Sequence, residues 1–285
     1  MRIILVHGIN NENNSSEGII DGWLAAIKPH MDPAIFSRMR SADIAAPFYG
    51  KVLHEWTEKR GRGAAPIAQA AGDPDSDEAR FYKRALEEFL PAVGVSESEI
   101  RAMEDTTAPV EQGLPHDRRL LALLRALETI SPLKGQAVLR LIPQAFTYLN
   151  RQGATRDIDQ IVRPYLSGDP CIVIAHSLGT IVTFRLLRGE PGADVPFYLT
   201  LGSPLAVQAV KLAIGPPFGR CSRIKRWVNA IDPNDAVTVG RALTPTTFGN
   251  GIENIGDVDN GSEDPHSVAR YLTSPDVVAA LTSAL

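Results

Sequence analysis

Residues 171–182 read CIVIAHSLGTIV, and this stretch decides the fold. Its first half is an apolar, β-branched run, which is typical of a strand buried on both faces of a sheet. Its second half is apolar again and predicts a helix. Ser177 stands at the junction between Ala175 and Gly179. Small residues at these two positions let a strand and a helix pass closely at a sharp bend.

The junction fits the nucleophile-elbow pattern G-x-S-x-G, with Ala175 in place of the first glycine. In this turn the serine hydroxyl projects from a strand-to-helix bend. Alanine adds one methyl group, so the steric reason for the pattern survives. The same five residues also fit a buried strand followed by a serine that caps a helix. The rest of the chain must distinguish the two interpretations.

Strand-like apolar runs alternate with helical patterns along the chain. Such alternation predicts βαβ units with right-handed crossovers, and hence an α/β fold with a mostly parallel sheet flanked by helices. In these sheets, ligands bind beyond the carboxyl ends of the strands. Besides the run before Ser177, strands are predicted at 3–6, within 38–49, within 196–204, at 226–231 and at 252–258.

A long segment separates the strand predicted within 38–49 from the strand before Ser177. Residues 60–77 are rich in Gly, Ala, Pro and Asp and predict a flexible connector. Helical patterns follow, with a capping box at Ser96 and Glu99 and a leucine-rich stripe within 120–127, and no strand is predicted between 52 and 167. We therefore expect a core made of 1–50 and 151–285. Residues 51–150 form a linker and helical insertion, either a scaffold packed on the sheet or a cap over the site.

Composition restricts the class of partner. The 285 residues are 44% apolar and carry a net charge of −4, which suits one large domain and argues against nucleic acid as a partner. The two cysteines have no spacing typical of a metal site or a disulfide framework. No leader and no transmembrane segment are predicted, so a cytoplasmic location is expected, with transient membrane contact still open.

A serine nucleophile needs a base, and histidine titrates in the right range. His7, His30, His54, His116 and His176 precede Ser177, and only His266 follows it. Acidic residues lie between Ser177 and His266. If the nucleophile, acid and base follow one another along the chain in the order Ser, Asp, His, then His266 is the one histidine that can be the base.

Taken together, these markers resemble the α/β-hydrolase fold, in which nucleophile, acid and base occur in this order after successive strands. The chain is most similar to bacterial lipases and serine esterases, including those with alanine at the first elbow position. The resemblance covers about residues 1–50 and 155–285. It is carried by His7-Gly8, the elbow at Ser177, Leu201-Gly202-Ser203-Pro204, the stretch Asn229–Asp235 and His266.

The resemblance implies a catalytic triad. Ser177 is its nucleophile, His266 the general base and then acid, and Asp235 the carboxylate that orients the imidazole. Asp235 is preferred because Asp235-Ala236-Val237 resembles the Asp-Pro-Val segment that often carries the acid. Asp232, nearer the strand end, is the rival and could instead cap the following turn.

The resemblance also implies an oxyanion hole made by the backbone N–H groups of Ile9 and Leu178. Gly8 leaves the backbone room to turn before Ile9. His7 is expected to support this loop by hydrogen bonding, and His176 to point toward neighbouring structure.

The expected activity is hydrolysis of a carboxylic ester, in a small molecule or a lipid, through an acyl-enzyme, without metal or organic cofactor. The leucine-rich helices favour an apolar acyl chain and a lipase, phospholipase or carboxylesterase. Thioester or amide cleavage on the same triad is an alternative. A catalytically silent binding module is another. Dinucleotide binding is disfavoured, because no G-x-G-x-x-G turn follows a predicted strand.

Overall fold

The computed structural model describes residues 2–58, 61, 63–106, 117–189 and 192–285, which form an α/β protein with one six-stranded sheet. The strands are β1 Arg2–Val6, β2 Asp43–Ala45, β3 Cys171–His176, β4 Val195–Leu201, β5 Ile224–Ala230 and β6 Glu253–Ile255. Their order is β2-β1-β3-β4-β5-β6, and every neighbouring pair is parallel. The prediction of an α/β protein with a mostly parallel sheet is confirmed.

Helices cover both faces of the sheet, so a central strand such as β3 is buried along its whole length. Within the described residues the α-helices are α1 Ser16–Ile27, α2 Pro33–Arg40, α3 Gly50–Glu58, α4 Ala65–Ala70, α5 Asp77–Ala92, α6 Glu97–Thr106, α7 Arg118–Ile130, α8 Pro132–Asn150, α9 Gln152–Val162, α10 Leu178–Gly189, α11 Gln208–Ile214, α12 Val268–Thr273 and α13 Pro275–Thr282.

Two hydrophobic clusters lie on the two faces of the sheet. One joins α1, α2, α12 and α13 to inward residues such as Leu5 and Ile174. The other joins α3 to α11 to the opposite face through residues such as Val6 and Val173. The stripe leucines Leu120, Leu123, Leu124 and Leu127 are buried in this second cluster. The helices between β2 and β3 thus share one core with the sheet, and the leucine stripe of α7 acts as scaffold.

The sheet order places a crevice between β1 and β3. β1 has β2 on one side and β3 on the other, and the chain leaves the two strands toward opposite faces, into α1 after β1 and into α10 after β3. Loops that diverge in this way leave an opening at the carboxyl edge, the usual ligand site of open parallel sheets. Gly8 and Ser177 stand at this opening.

The strand predicted within 38–49 forms as β2 Asp43–Ala45, and residues 38–40 before it end α2, a helix that Asp32 caps through the backbone N–H groups of Ala34 and Ile35. One expectation about the next segment is wrong. The segment 60–77 is not a connector throughout, because α4 forms within it and buries Ile67. Arg60 and Arg62, within that segment, lie outside the described residues.

Other local predictions are confirmed. The capping box forms: the Ser96 backbone N–H donates to Glu99 Oε2 at 2.7 Å, and the Glu99 N–H donates to Ser96 Oγ at 3.3 Å. The described residues between 52 and 167 contain helices and no strand.

Candidate active site

Ser177 occupies a strained bend between β3 and α10. Its φ of 55° lies in the left-handed region, which costs an L-residue free energy and is common at functional turns. The bend is held by its neighbours: the Ser177 N–H donates to the Leu201 carbonyl at 3.0 Å, and the Thr180 hydroxyl donates to the Ser177 carbonyl at 2.7 Å. Such a strand–serine–helix bend is the local geometry of a nucleophile elbow.

Two glycines are required for this packing. A Cβ on Gly179 would lie 2.4 Å from the Val6 carbonyl oxygen, so only glycine lets α10 start against the end of β1. A Cβ on Gly8 would lie 2.5 Å from the Ser177 Cβ. The loop after β1 therefore runs directly against the serine. Ala175 is fully buried in the strand before it.

The structure brings Ser177, His266 and Asp235 into one hydrogen-bonded chain. His266 Nε2 lies 2.8 Å from Ser177 Oγ, and His266 Nδ1 lies 2.8 Å from Asp235 Oδ2. Asp235 is fully buried, whereas 11% of the His266 side chain is exposed. A carboxylate on Nδ1 fixes the tautomer in which Nε2 is free to accept the serine proton.

The two rival aspartates have different partners. Asp235 Oδ1 accepts the Val237 N–H at 2.9 Å, while Oδ2 accepts the hydroxyl of Tyr271 at 2.9 Å besides His266. Asp232 is also buried, but its oxygens accept the backbone N–H groups of Asn234 and Asn260, both at 2.7 Å. Asp232 thus ties the turn after β5 to the loop that carries His266, and Asp235 contacts the imidazole.

Gly202 makes room for the acid and the base. Its φ is +55°, and a Cβ there would lie 2.9 Å from Asp235 Oδ2 and 3.1 Å from His266 Nδ1. Only glycine at position 202 therefore lets the chain after β4 pass directly beside the His266–Asp235 pair.

Of the two residues expected to form the oxyanion hole, Leu178 directly follows Ser177, and Ile9 follows Gly8, which lies against Ser177. Leu178 is the first residue of α10, so its N–H has no acceptor within its own helix. The Ile9 N–H follows Gly8, the residue that touches Ser177, and donates no hydrogen bond to another described residue. Asn11 fixes this loop by donating to the Ile9 carbonyl at 2.9 Å.

His7 is a structural residue of the same loop, as predicted. Its Nδ1–H donates to the Gly8 carbonyl at 2.8 Å, and its Nε2 accepts the Tyr49 N–H at 3.3 Å. The Tyr49 hydroxyl donates to the His7 carbonyl, and the two rings stack. Burial lowers the pKa of His7 to about 4, against a smaller opposing effect of the Gly8 hydrogen bond. His7 is therefore neutral at physiological pH.

His176 supports the base. Its Nε2–H donates to the His266 carbonyl at 2.9 Å, and the two rings lie 4.6 Å apart. Burial, and then the neighbouring charge of His266, hold the pKa of His176 well below its ordinary value. A neutral His176 thus braces the backbone of His266.

The other histidines do not enter this arrangement. His30 lies in an exposed turn after α1, and His54 pairs with Glu58 along α3 at 3.1 Å. His116 lies outside the described residues. Among the described side chains, no three His, Cys, Asp or Glu residues are grouped to hold a metal ion.

Ser177 is fully buried, and cavities lie around the loops that contain the site. One of about 310 Å³ lies beside His266 and Asp235, with Ala137 of α8 in its wall. Another of about 330 Å³ is lined by Asn10 and Glu12 of the loop after β1 and by residues of α8. The helices between β2 and β3 therefore supply part of the walls near the site.

None of the described helices is both long and apolar enough to cross a bilayer.

Comparison of the chain with protein-family models, curated proteins and solved structures gave no match.

The sequence patterns did not indicate every residue of the site. Tyr271, on α12, contacts Asp235 but looks in the sequence like an ordinary apolar position of a short helix. Its distance of five residues from His266 is the one available signal. The Asp232–Asn260 bond likewise has no counterpart in local sequence, because it joins two loops that are distant along the chain.

Proposed function

We propose that this protein is a serine hydrolase of the α/β-hydrolase type that cleaves carboxylic esters through an acyl-enzyme. The observation that carries the proposal is the chain of 2.8 Å contacts from Ser177 Oγ through His266 to Asp235. The left-handed bend at Ser177 and the oxyanion-hole candidates Ile9 and Leu178 support it.

In the first step, Ser177 Oγ attacks the ester carbonyl while its proton passes to His266 Nε2. Asp235 stabilises the imidazolium that forms. The negative charge on the carbonyl oxygen is stabilised by the N–H groups of Ile9 and Leu178. The tetrahedral intermediate then breaks its C–O bond, and the leaving alcohol takes the proton from His266.

In the second step, water attacks the acyl-enzyme carbonyl and gives its proton to His266. The bond to Ser177 Oγ breaks, the acid is released, and the proton returns to the serine. Thioesters and amides would follow the same two steps, so the leaving group must be tested directly.

The structure favours esters with a small acyl group over long lipid chains. The leucines that suggested an apolar substrate wall are buried in the core. The cavity beside His266 measures about 310 Å³ and mixes apolar residues such as Ala236 and Pro265 with polar Asn234 and Asp264.

A fluorophosphonate probe tests the proposal, because it forms a bond only with an activated serine. The wild type is expected to be labelled, Ser177→Ala to lose labelling, and Ser203→Ala, a nearby buried serine that hydrogen-bonds Thr180, to keep it. A folded wild type that is not labelled would overturn the proposal in favour of a silent binding module. p-Nitrophenyl esters of two to sixteen acyl carbons, with matched thioester and anilide substrates, would then identify the substrate class.

A further inference from the structure

Tyr271 is a buried phenol in contact with the acid of the site. Its hydroxyl donates to Asp235 Oδ2 at 2.9 Å, the same oxygen that His266 Nδ1 reaches at 2.8 Å. The hydroxyl oxygen in turn accepts the backbone N–H of Asp232 at 2.9 Å. Because that N–H occupies the acceptor side of the phenol, the phenolic proton points at Asp235.

The position of Tyr271 is set by a short rigid element. His266 lies just before α12, and Tyr271 lies within it, where its N–H donates to the Ser267 carbonyl at 3.1 Å. One element therefore places both the base and the phenol against Asp235. The ionisable groups that face the phenol in the described chain are Asp232, Asp235, His266 and, with its ring 6.3 Å away, His176.

Toward Asp235 the phenol acts as a hydrogen-bond donor. Burial, and then the charge of Asp235, hold the pKa of Tyr271 well above its ordinary value. A hydrogen bond to a buried carboxylate withdraws part of its negative charge and fixes the oxygen in place. The carboxylate of Asp235 would then stabilise the His266 imidazolium less strongly than a carboxylate without this donor.

Resting on the proposed function, we propose that Tyr271 is a positioning residue that acts through Asp235. It holds Oδ2 in line with His266 Nδ1 and moderates the attraction between the carboxylate and the imidazolium. Tyr271 thereby adds a fourth side chain to Ser177, His266 and Asp235.

Tyr271→Phe removes the hydroxyl alone. We expect kcat to fall about tenfold with KM unchanged, since Asp235 loses a charge-assisted hydrogen bond but the substrate contacts stay. The acidic limb of the pH–rate profile should move to higher pH, because the imidazolium is stabilised more strongly. Tyr148→Phe is the matched control: Tyr148 is equally buried and donates to the Asp159 carboxylate at 2.8 Å, outside the site.

Difluorotyrosine at position 271 keeps the hydroxyl and the fold but makes it a stronger donor, so the acidic limb should move the opposite way, to lower pH. The positioning role is overturned if a labelled wild type and Tyr271→Phe have the same kcat and pH profile, if Tyr148→Phe loses as much activity, or if difluorotyrosine leaves the limb unmoved. An unlabelled wild type would overturn the proposed function and this role with it, so the two failures are distinguishable.

Discussion

At the scale of single residues, the site depends on which atoms reach His266. Asp235 and Asp232 lie three positions apart and are both buried, yet one binds the imidazole and the other binds backbone N–H groups. Gly8 and Gly202 matter because they lack a side chain: a Cβ at either position would collide with residues of the site.

The variants Asp235→Asn and Asp232→Asn distinguish the roles of the two aspartates. Asp235→Asn should lower kcat/KM by about 10³-fold or more, because a neutral amide cannot stabilise the imidazolium or enforce its tautomer. Asp232→Asn should lower it less than about tenfold but reduce the free energy of unfolding by roughly 1–3 kcal/mol, because an amide NH2 then faces a backbone N–H. Steady-state kinetics and urea unfolding measure both quantities. Equal losses of activity would contradict the assignment of the acid.

Gly8→Ala tests the contact between the loop after β1 and the serine. The new Cβ would meet the Ser177 Cβ at 2.5 Å, so the loop must shift, and the Ile9 amide shifts with it. We expect a loss of roughly 1–3 kcal/mol in unfolding free energy and about 10²-fold in kcat. Gly22→Ala is the control: Gly22 lies on the exposed face of α1, a Cβ there would meet no atom within 4 Å, and the change should be neutral or stabilising. An active, stable Gly8→Ala would show that the loop tolerates the methyl group.

At the scale of elements, the candidate site lies at the ends of β1 and β3, where two buried neutral histidines stand: His7 directly after β1 and His176 at the end of β3. His7 braces the loop after β1, and His176 braces the backbone of His266. Both histidines thus have a structural role. Because they are buried in the neutral form, they should make the stability of the fold sensitive to acid.

Stability should fall as the pH drops from about 6.5 to about 4. The folded-state pKa of His7 is about 4 and that of His176 is also lowered, so below pH 6.5 the unfolded chain binds more protons than the folded one. The slope is at most about 1.4 kcal/mol per pH unit for one histidine. Urea unfolding at a series of pH values measures it. His7→Asn should flatten the slope, and His30→Gln, at an exposed histidine, should not; identical slopes in all three proteins would refute this origin.

At the scale of the whole molecule, the helices between β2 and β3 are fastened to the loops that carry the acid. The Glu88 carboxylate of α5 accepts hydrogen bonds from Arg241 at 2.5 Å and from the Gln208 N–H at 2.6 Å. Arg241 follows the turn Ala236–Thr238, directly after Asp235. Within this arrangement Ser177 is fully buried.

Glu88→Ala should loosen this connection. We expect hydrolysis of long-chain p-nitrophenyl esters to rise several-fold relative to short-chain esters, since α5 packs on α8 and α8 lines the cavity beside His266. Glu87→Ala, the exposed neighbour on α5, is the control. The ratio of kcat/KM for the octanoate and acetate esters measures the effect. An unchanged ratio would mean that α5 does not limit access.

The α/β class could be predicted from sequence alone, and so could the gathering of the residues that follow the strands at one edge of the sheet. Apolar runs at 3–6 and before Ser177, separated by helical periods, allow few other arrangements, and residues that follow parallel strands must meet at one edge. The short helices α2 and α4 were not predicted, because caps and burial decided them against weak local propensity.

Only the tertiary structure decided which groups touch. That Asp235 rather than Asp232 reaches His266, that Tyr271 donates to the same oxygen, and that the leucine stripe lies in the core all depend on side chains brought together from distant parts of the chain. Local sequence carries periodicity and turn chemistry, whereas a hydrogen bond of 2.8 Å depends on how strands, loops and helices pack against one another.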